Sequence, residues 1–363
     1  MKNRPFKPSL LALVIASVLS STAQASTVRG DVDYQYFRDL AENKGKFYVG
    51  ASNIDIFNKQ GEKIGTMLQD IPMIDFSVIT RGGGFATLTK PQYIVSVEHN
   101  TGYRSVQFGD SGSENPDNHH FNYQLVARND YDPNGGFAVG LTNKDYHTPR
   151  LAKLVTETAP TEQSLEKDGA ALKDRQIFPV FIRAGSGTQY VLPSRTGEKV
   201  LLSNPYNYLI GGTTLNPTTI DNNRIIFAGN VFDDVYSPLS SNPQRGDSGS
   251  GMFGWDSRLG RWVYVAALQS GNDDFTVSIR NYPEYGDLLE KADTAGTIVA
   301  NGQELVWTPD GNSSVIRGGE QDLTVKLADT TLASPTSGKP HIPSLHHGKT
   351  FHITGENNTL TLT

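Results

Sequence analysis

The sequence predicts an all-β protein, and three observations carry this prediction. The chain of 363 residues contains 36 glycines and 19 prolines, which is typical of proteins with many turns. Short runs of β-branched and aromatic residues recur along it, separated by glycine, proline, asparagine and lysine. No long stretch has the apolar spacing of a substantial helix. A β-sandwich or β-barrels fit this pattern, either as one large domain with an appendage or as two modest domains.

The first 25 residues have the pattern of a secretory signal peptide. Lys2, Arg4 and Lys7 form a positive start, followed by the apolar stretch Leu10–Leu19. The small residues of Ala23–Ala25 then predict cleavage after Ala25. Because ten apolar residues are too few to cross a bilayer, a membrane anchor is the weaker interpretation. The sequence therefore predicts an exported protein.

Net charge and cysteine content narrow the possible functions of the exported protein. The formal net charge is −6, and removing the three basic residues of the leader lowers it to −9. An acidic surface without basic runs argues against nucleic acid as a partner. The chain has no cysteine, so core burial alone must stabilise the exported protein. Such a chain stays easy to unfold, which is compatible with transport across an outer membrane.

The elements follow one another in a recognisable order. Asp31–Lys46 has roughly helical spacing and ends at Asn43–Gly45, while residues 110–145 form a polar insertion and 157–175 a charged, partly helical connector. The runs predicted as strands are Phe47–Phe57, Ile74–Thr80, Phe85–Leu88, Tyr93–Val97, Phe121–Ala127, Val180–Arg183, Tyr190–Leu192, Val200–Leu202, Arg224–Phe227 and Trp262–Ala266.

The character of the chain changes past about residue 290. Apolar and polar residues alternate strictly there, between turns rich in asparagine, aspartate and glycine. This pattern predicts short stacked strands, as in the first coils of a β-solenoid. The sequence stops in mid-alternation at Leu360–Thr363, which we interpret as a piece of something longer.

The pentapeptide Gly246–Ser250 is the candidate nucleophile turn. Acyl transfer by serine needs a hydroxyl on a tight turn and backbone N–H donors for the developing oxyanion. Gly246 lets its own N–H and that of Ser248 point into one oxyanion hole. The same pentapeptide occurs at Gly109–Ser113, so the string alone means little. The apolar strand that follows Ser248 favours it over Ser111, which is followed by a polar loop and lies only twelve positions after His99.

His99 is the candidate general base, because it alone among eight histidines directly follows a run that reads as a buried strand. Asp145 precedes an apolar run, where its carboxylate could accept the second ring N–H of a histidine. His147 is the rival base, but its acid would then lie only two residues away. The pairs His119–His120 and His346–His347 lack further ligands at suitable spacing, so no metal is predicted, and acyl transfer of this kind needs no cofactor.

Five stretches, in this order, carry a resemblance to a known family. They are Asp33–Asp39 with Ala41–Phe47, Pro72–Val78, Gln92–Val97 with His99, Asp145–His147 with Pro149–Leu151, and Gly246–Ser250. With these stretches the sequence, from about Val32 to Gly271, resembles the autotransporter serine proteases of the immunoglobulin A protease type, which include bacterial adhesion-and-penetration proteases.

The resemblance implies a chymotrypsin-like double β-barrel with a triad in the order His99, Asp145, Ser248, the residues chosen above on chemical grounds. It also implies a right-handed β-helix stalk after the protease and then an outer-membrane barrel. We therefore expect a signal peptide over 1–25, a chymotrypsin-like serine protease domain over 26–295 and the beginning of a β-helical passenger stalk over 296–363.

Substrate preference is less defined by the sequence. Asn242, six residues before the nucleophile, is expected at the base of the specificity pocket, and Gln269, Ser270 and Gly271 at the edge that pairs with substrate backbone. The expected partners are protein substrates, extracellular or on a host surface, and the outer-membrane translocation machinery for a full-length form. We expect a monomer that is exported through the periplasm to the cell surface or secreted, with the full-length form anchored in the outer membrane.

Two other functions compete with a secreted endopeptidase. One is a surface adhesin whose protease-like domain is a cap or has accessory activity. An intact set of His99, Asp145 and Ser248 weighs against a dead domain, although adhesion and proteolysis can coexist. The other is an esterase of the α/β kind, which needs a Gly-x-Ser-x-Gly turn and a histidine after the serine. Gly246–Ser250 lacks that form and His99 precedes Ser248, so the esterase is disfavoured.

Overall fold

The computed structural model describes residues 26–109, 122–131, 145–152, 155, 158–221 and 224–271, together with seven strands between residues 275 and 362. The structural statements below concern those residues. The predicted signal peptide, most of the polar insertion with Ser111, and both histidine pairs lie outside them.

Strands dominate the described part of the chain, as the sequence predicts. The two α-helices are α1 (Gln35–Ala41) and α2 (Gly169–Lys173), and two 3-10 helices span Gly45–Phe47 and Phe76–Val78. The strands are β1 (Thr27–Arg29), β2 (Ile54–Phe57), β3 (Lys63–Met67), β4 (Thr87–Lys90), β5 (Tyr93–Val95), β6 (Ser105–Val106), β7 (Tyr123–Ala127), β8 (Arg150–Leu151), β9 (Phe181–Gly185), β10 (Gln189–Leu192), β11 (Val200–Ser203), β12 (Ile210–Thr213), β13 (Asn216–Ile220), β14 (Arg224–Ala228), β15 (Ser241–Asn242), β16 (Gly251–Asp256), β17 (Arg261–Gly271), β18 (Phe275–Arg280), β19 (Gly296–Ala300), β20 (Gln303–Asp310), β21 (Ser313–Arg317), β22 (Leu323–Lys326), β23 (Thr350–Ile353) and β24 (Thr359–Leu362).

A five-stranded antiparallel sheet, in the order β4-β5-β8-β7-β6, carries the first two candidate catalytic residues. Apolar side chains of its strands and of the adjoining loops form one cluster. The members are Ala86, Leu88, Ile94, Val106, Phe108, Tyr123, Leu151 and Val155. His99 lies in the turn after β5, and Asp145 lies shortly before β8.

A seven-stranded antiparallel sheet, in the order β12-β9-β16-β17-β18-β14-β13, carries the candidate nucleophile. Ser248 lies in the turn that leads into β16. The predicted strand Trp262–Ala266 is part of the long strand β17 beside it. Buried residues on these strands form a second cluster, which includes Phe181, Met252, Val263 and Val265.

The N-terminal segment packs onto the seven-stranded sheet. Strand β1 pairs in parallel with β10 and antiparallel with β15, in a four-stranded sheet of order β11-β10-β1-β15. Helix α1 lies directly on β12, since a Cβ atom added to Gly211 would meet Leu40 at 2.6 Å. Val28, Leu40, Ile182 and Tyr264 share the largest apolar cluster. This packing brings the start of the described chain close to the serine turn.

The helix predicted within Asp31–Lys46 is confirmed as α1, and Asn43, in a left-handed conformation at φ 52°, follows its end. The predicted strand Ile74–Thr80 is wrong, because the structure has a 3-10 helix at Phe76–Val78. The side chain of Asn43 accepts the Phe76 N–H at 2.7 Å, and that of Asp75 accepts the Ser77 N–H at 2.8 Å. Side chains thus satisfy backbone donors that a strand would have paired with a neighbour.

Two further runs are shorter than predicted. Of Phe47–Phe57, only Ile54–Phe57 is strand, and β5 ends at Val95 rather than Val97. His99 is therefore four residues beyond the strand, on a turn rather than at the strand end. The connector 157–175 contains one short helix, α2, as predicted.

The C-terminal strands form a six-stranded sheet in the order β23-β22-β19-β20-β21-β24. Each pairing in it is antiparallel. A parallel β-helix stacks its strands in parallel, so these described strands have the predicted alternation but not the predicted stacking. The domain boundary at residue 296 stays a prediction. In the part of the chain that the structure describes, neither α-helix has the length and apolar composition needed to span a membrane.

Candidate active site

His99 and Asp145 form a two-point contact. The ring Nδ1 of His99 lies 2.6 Å from Asp145 Oδ2, and the backbone N–H of His99 donates to Asp145 Oδ1 at 2.9 Å. The Asp145 side chain is 7% exposed and the His99 side chain 23%. One carboxylate therefore fixes both the backbone and the ring of a partly exposed histidine.

This contact has a chemical consequence for the imidazole. When Asp145 accepts the Nδ1–H, the neutral ring carries its lone pair on Nε2, which is the form needed to take a proton from a nucleophile. The carboxylate would also stabilise the imidazolium once the proton has moved. The sequence analysis selected His99 and Asp145 although 46 positions separate them, and the structure brings them together.

The turn around Ser248 is pinned by backbone hydrogen bonds. The Gly249 N–H donates to the Leu268 carbonyl at 2.8 Å, and the Leu268 N–H donates to the Ser250 carbonyl at 2.9 Å, which ties the turn to β17. Gly246 and Gly249 have φ values of 103° and 84°, where a side chain would be strained. The pentapeptide therefore adopts a tight conformation that needs glycine at both positions.

Asn100 joins the two halves of the site. Its side-chain amide donates to the backbone carbonyl of Ser248 at 2.8 Å, although it is the residue directly after His99. The same amide donates to the hydroxyl of Ser96 at 3.3 Å, which in turn donates to the Phe85 carbonyl at 2.7 Å. A Cβ atom added to Gly249 would lie 2.3 Å from that hydroxyl. The histidine turn and the serine turn are thus packed against each other.

Sequence reasoning missed Asn100 and Ser96. The available signal was their position, since both flank the predicted base within a five-residue span. Polar residues beside a catalytic histidine are common on turns, so neither could be selected without the long-range contact to Ser248.

The four residues predicted to bind substrate occupy two adjacent segments. Asn242 is buried in β15, where it pairs with Thr27 of β1. Gln269 is buried in β17, while Ser270 and Gly271 are half-buried. A Cβ atom added to Gly271 would lie 2.4 Å from the Pro243 carbonyl, so the two segments touch. Their role in substrate binding stays a prediction.

His147, the rival base, lies at the centre of a separate polar cluster. Its Nδ1 is 3.0 Å from both Asp130 Oδ1 and Arg128 Nη2, and its Nε2 is 2.7 Å from the Tyr103 hydroxyl. Burial lowers the pKa of His147, and the charge of Arg128 adds to this effect, while the hydrogen bond that Asp130 accepts from the ring opposes it. The side chain of His147 is completely buried, so it has no access to a substrate.

Burial also opposes ionisation of Asp130, but hydrogen bonds from His147 and Arg128 lower its pKa below the ordinary value. Arg128 donates to the backbone carbonyls of Glu98 and Asn100, at 3.1 and 3.4 Å. The cluster thus braces the turn that carries His99 from behind.

The strand-rich fold places the chain in the class of autotransporter passenger domains. The structure is similar to the crystal structure of the Haemophilus influenzae Hap adhesin, with a TM-score of 0.67 and 34% identity. That similarity covers 90% of this chain and 32% of the other.

The chain belongs to the immunoglobulin A1 protease family, peptidase family S6, whose profile matches residues 25–285. It is 41% identical over 287 residues to the adhesion and penetration protein autotransporter of Haemophilus influenzae, covering 76% of this chain and 20% of that protein. It is also 34% identical over 412 residues to the immunoglobulin A1 protease autotransporter of Haemophilus influenzae, covering 100% of this chain and 24% of that protein.

These findings confirm the family resemblance drawn from the sequence. The relatives are serine protease autotransporters, and the chain is accordingly a protein exported to the cell surface or secreted. It spans a quarter or less of the two relatives just described.

Proposed function

We propose that this chain is a secreted serine endopeptidase that hydrolyses peptide bonds through an acyl-enzyme. In this proposal Ser248 is the nucleophile, His99 the general base and Asp145 the residue that orients the base. The N–H groups of Gly246 and Ser248 bind the oxyanion.

One observation supports this proposal above the others. Asp145 holds His99 at two points, and the residue next to His99 donates a hydrogen bond to the carbonyl of Ser248. A histidine oriented by a carboxylate and adjacent to a serine on a tight turn is the arrangement that acyl transfer requires. The family membership points to the same chemistry.

The reaction proceeds in two halves. His99 Nε2 takes the proton of Ser248 Oγ as this oxygen bonds to the carbonyl carbon, and the oxyanion that forms is stabilised by the two N–H groups. His99 then gives the proton to the leaving amine, the C–N bond breaks, and the acyl group stays on Oγ. A water molecule, deprotonated by His99, attacks the ester. The C–Oγ bond breaks, Ser248 recovers its proton and the carboxylic acid product leaves.

The proposal also includes the barrel architecture, the domain bounds and the substrate-binding residues. We infer that the five-stranded and seven-stranded sheets are the cores of two chymotrypsin-like barrels, with the site between the turns that they carry. The protease domain spans residues 26–295, and residues 296–363 begin the passenger stalk. Asn242 and Gln269–Gly271 contact the substrate, which is an extracellular or host-surface protein, and the full-length form is anchored in the outer membrane.

Adhesion is the second candidate function, and a specific finding favours it. Both the similar crystal structure and a similar relative carry adhesion in their names. In this case the protease-like domain would serve as a cap or have accessory activity.

Labelling of the purified chain with a fluorophosphonate probe tests the proposal. Ser248→Ala should abolish labelling, and Ser111→Ala, which alters the second copy of the pentapeptide, should leave it unchanged. Labelling that survives Ser248→Ala would refute the proposed nucleophile. A well-folded sample that is not labelled at all would favour the adhesin.

A further inference from the structure

Asp247 is a buried carboxylate inside the serine turn that the proposed reaction does not use. It is 1% exposed and lies between the two residues whose N–H groups are the proposed oxyanion donors. Its Oδ1 accepts the Gly187 N–H at 2.9 Å. Its Oδ2 accepts the Ser26 hydroxyl at 2.7 Å and the Gln244 N–H at 3.2 Å. Three hydrogen-bond donors therefore fix the orientation of this carboxylate.

Arg183, from the middle of β9, supplies the opposite charge. Its Nη2 lies 3.0 Å from Asp247 Oδ2 and 3.4 Å from the Ser250 hydroxyl, while its Nη1 donates to the Ser26 hydroxyl at 3.1 Å. Arg183 is itself 1% exposed. The guanidinium therefore contacts the turn on both sides of Ser248.

The surrounding backbone leaves space for this ion pair. A Cβ atom added to Gly185 would lie 2.4 Å from Asp247 Oδ1 and 2.7 Å from Arg183 Nη2. Ser26 is completely buried, and its carbonyl accepts the Tyr190 N–H at 3.0 Å, so the hydroxyl is held by the sheet that contains β1 and β10. The pair is thus built into the junction of two sheets.

A buried ion pair is a weak source of stability, because desolvation offsets most of the attraction between the charges. Its particular effect here is orientation. Glycine has access to more backbone conformations than any other residue type. The peptide group of Gly246 therefore needs an external constraint to keep its own N–H and that of Ser248 directed at one point. Fixing the carboxylate of the next residue supplies that constraint.

We propose that Arg183 and Ser26 are positioning residues for the oxyanion hole, which act through Asp247 on the N–H groups of Gly246 and Ser248. This inference rests on the proposed function. It assigns to β9 and to the first described residue of the chain a role in catalytic rate, in addition to their role in packing.

The rate constant and the end point of fluorophosphonate labelling separate positioning from folding. A misplaced oxyanion hole slows labelling of every molecule but leaves the final labelled fraction unchanged, whereas irreversibly misfolded molecules lower the final fraction. Arg183→Met should lower the rate constant about 100-fold, the scale of losing one oxyanion donor. Arg183→Lys, which restores the charge, should recover at least about tenfold of that loss, a charged hydrogen bond being roughly this strong.

Two further variants complete the series. Ser26→Ala removes one hydrogen bond to Asp247 and should lower the rate constant about three- to tenfold. Because Ser26 directly follows the predicted cleavage position, the N-terminus of each sample is checked by mass spectrometry. Arg29→Met is the matched control: Arg29 is also buried in the same part of the protein, but its partners are Asp31 and Asp234. It should lower the unfolding temperature and leave the rate constant within about twofold, as for a site without shared partners.

The outcomes distinguish this inference from the proposed function. An unaltered chain that is not labelled, or labelling that survives Ser248→Ala, overturns the proposed function and this inference with it. If the unaltered chain is labelled at Ser248, an unchanged rate constant in Arg183→Met overturns the inference alone, as does a lower end point at the original rate. Should Arg183→Met fail to fold, Ser26→Ala decides alone: an original rate constant in that variant overturns the inference.

Discussion

Among the described residues, two histidine–aspartate pairs lie side by side next to the five-stranded sheet, and the histidine is partly exposed in one pair and completely buried in the other. In both pairs the histidine Nδ1 faces a carboxylate oxygen, at 2.6 Å for His99–Asp145 and 3.0 Å for His147–Asp130. The pairs are also neighbours, because Ser96, three residues before His99, exchanges backbone hydrogen bonds with His147.

The pairs differ in what meets the second ring nitrogen. The Nε2 of His147 is 2.7 Å from the Tyr103 hydroxyl, and the ring is completely enclosed. The ring of His99 is partly exposed, and the adjacent residue contacts Ser248. The comparison teaches that a carboxylate partner orients an imidazole in either setting, while access and a neighbouring nucleophile decide whether the imidazole can act as a base.

The largest expected effect is that of removing the exposed imidazole. His99→Ala should lower the rate constant of fluorophosphonate labelling by roughly 10⁴ to 10⁶, as for loss of a base in a serine triad. The unfolding temperature should change little, since His99 is partly exposed. His147→Gln is the control, and should cost about 1–3 kcal/mol of stability for its buried hydrogen bonds and less than tenfold in rate. A greater loss of rate in His147→Gln than in His99→Ala would reverse the assignment of the two histidines.

Replacing the carboxylate of each pair by an amide sharpens the comparison. Asp145→Asn keeps the shape but removes the carboxylate that accepts the Nδ1–H, so the wrong tautomer is favoured and the rate constant should fall by about 10⁴. Asp130→Asn makes the same change in the buried pair and should lower the rate less than about tenfold, because it disturbs only the brace behind the turn. Equal losses in both variants would show that the two pairs work as a unit.

A smaller effect is expected at the contact between the histidine and serine turns. Asn100→Ala removes one hydrogen bond to the Ser248 carbonyl and should slow labelling about five- to tenfold, with the end point unchanged. Asn230→Ala is the matched control, since Asn230 donates an equivalent bond to the Arg195 carbonyl at 3.2 Å. If both variants are labelled at the original rate, Asn100 has no part in aligning the turns.

The strand-rich fold and many of its strands could be predicted from local sequence. The wrong strand predictions have physical causes. Strands such as β7, β9 and β14 overlap the predicted runs of apolar and β-branched residues, where the local pattern and the sheet agree. The run Ile74–Thr80 has the same composition but forms a 3-10 helix, because Asn43, more than thirty positions away, takes its backbone donor. No local pattern contains that contact.

The candidate site shows the same difference between local sequence and long-range contacts. His99, Asp145 and Ser248 could be selected from their own short motifs, since each follows or precedes a recognisable apolar run. The residues that brace them could not. Arg183 and Ser26 reach Asp247 across separations of 64 and 221 positions, and they are defined only by how β1 and β9 meet the serine turn.

The last prediction concerns the buried pair alone and uses pH. Burial lowers the pKa of His147 below its ordinary value of 6.5, and the charge of Arg128 adds to this, against the carboxylates of Asp130 and Asp145. As the pH falls through 6.5, the unfolded chain binds a proton at this histidine and the folded chain does not. The unfolded state is therefore favoured, and the free energy of unfolding should fall between about pH 6.5 and 5.

Denaturant unfolding at several pH values measures this effect. The difference in unfolding free energy between the unaltered chain and His147→Gln should shrink as the pH falls from 7 to 5, because the variant lacks the titrating group. Asp130 acts in a separate window: its pKa is lowered from 3.8, so its contribution is lost only at more acidic pH. Tyr103, whose pKa burial raises, stays protonated throughout. A difference that stays constant from pH 7 to 5 would mean that His147 titrates alike in both states, and that its enclosure does not keep it neutral.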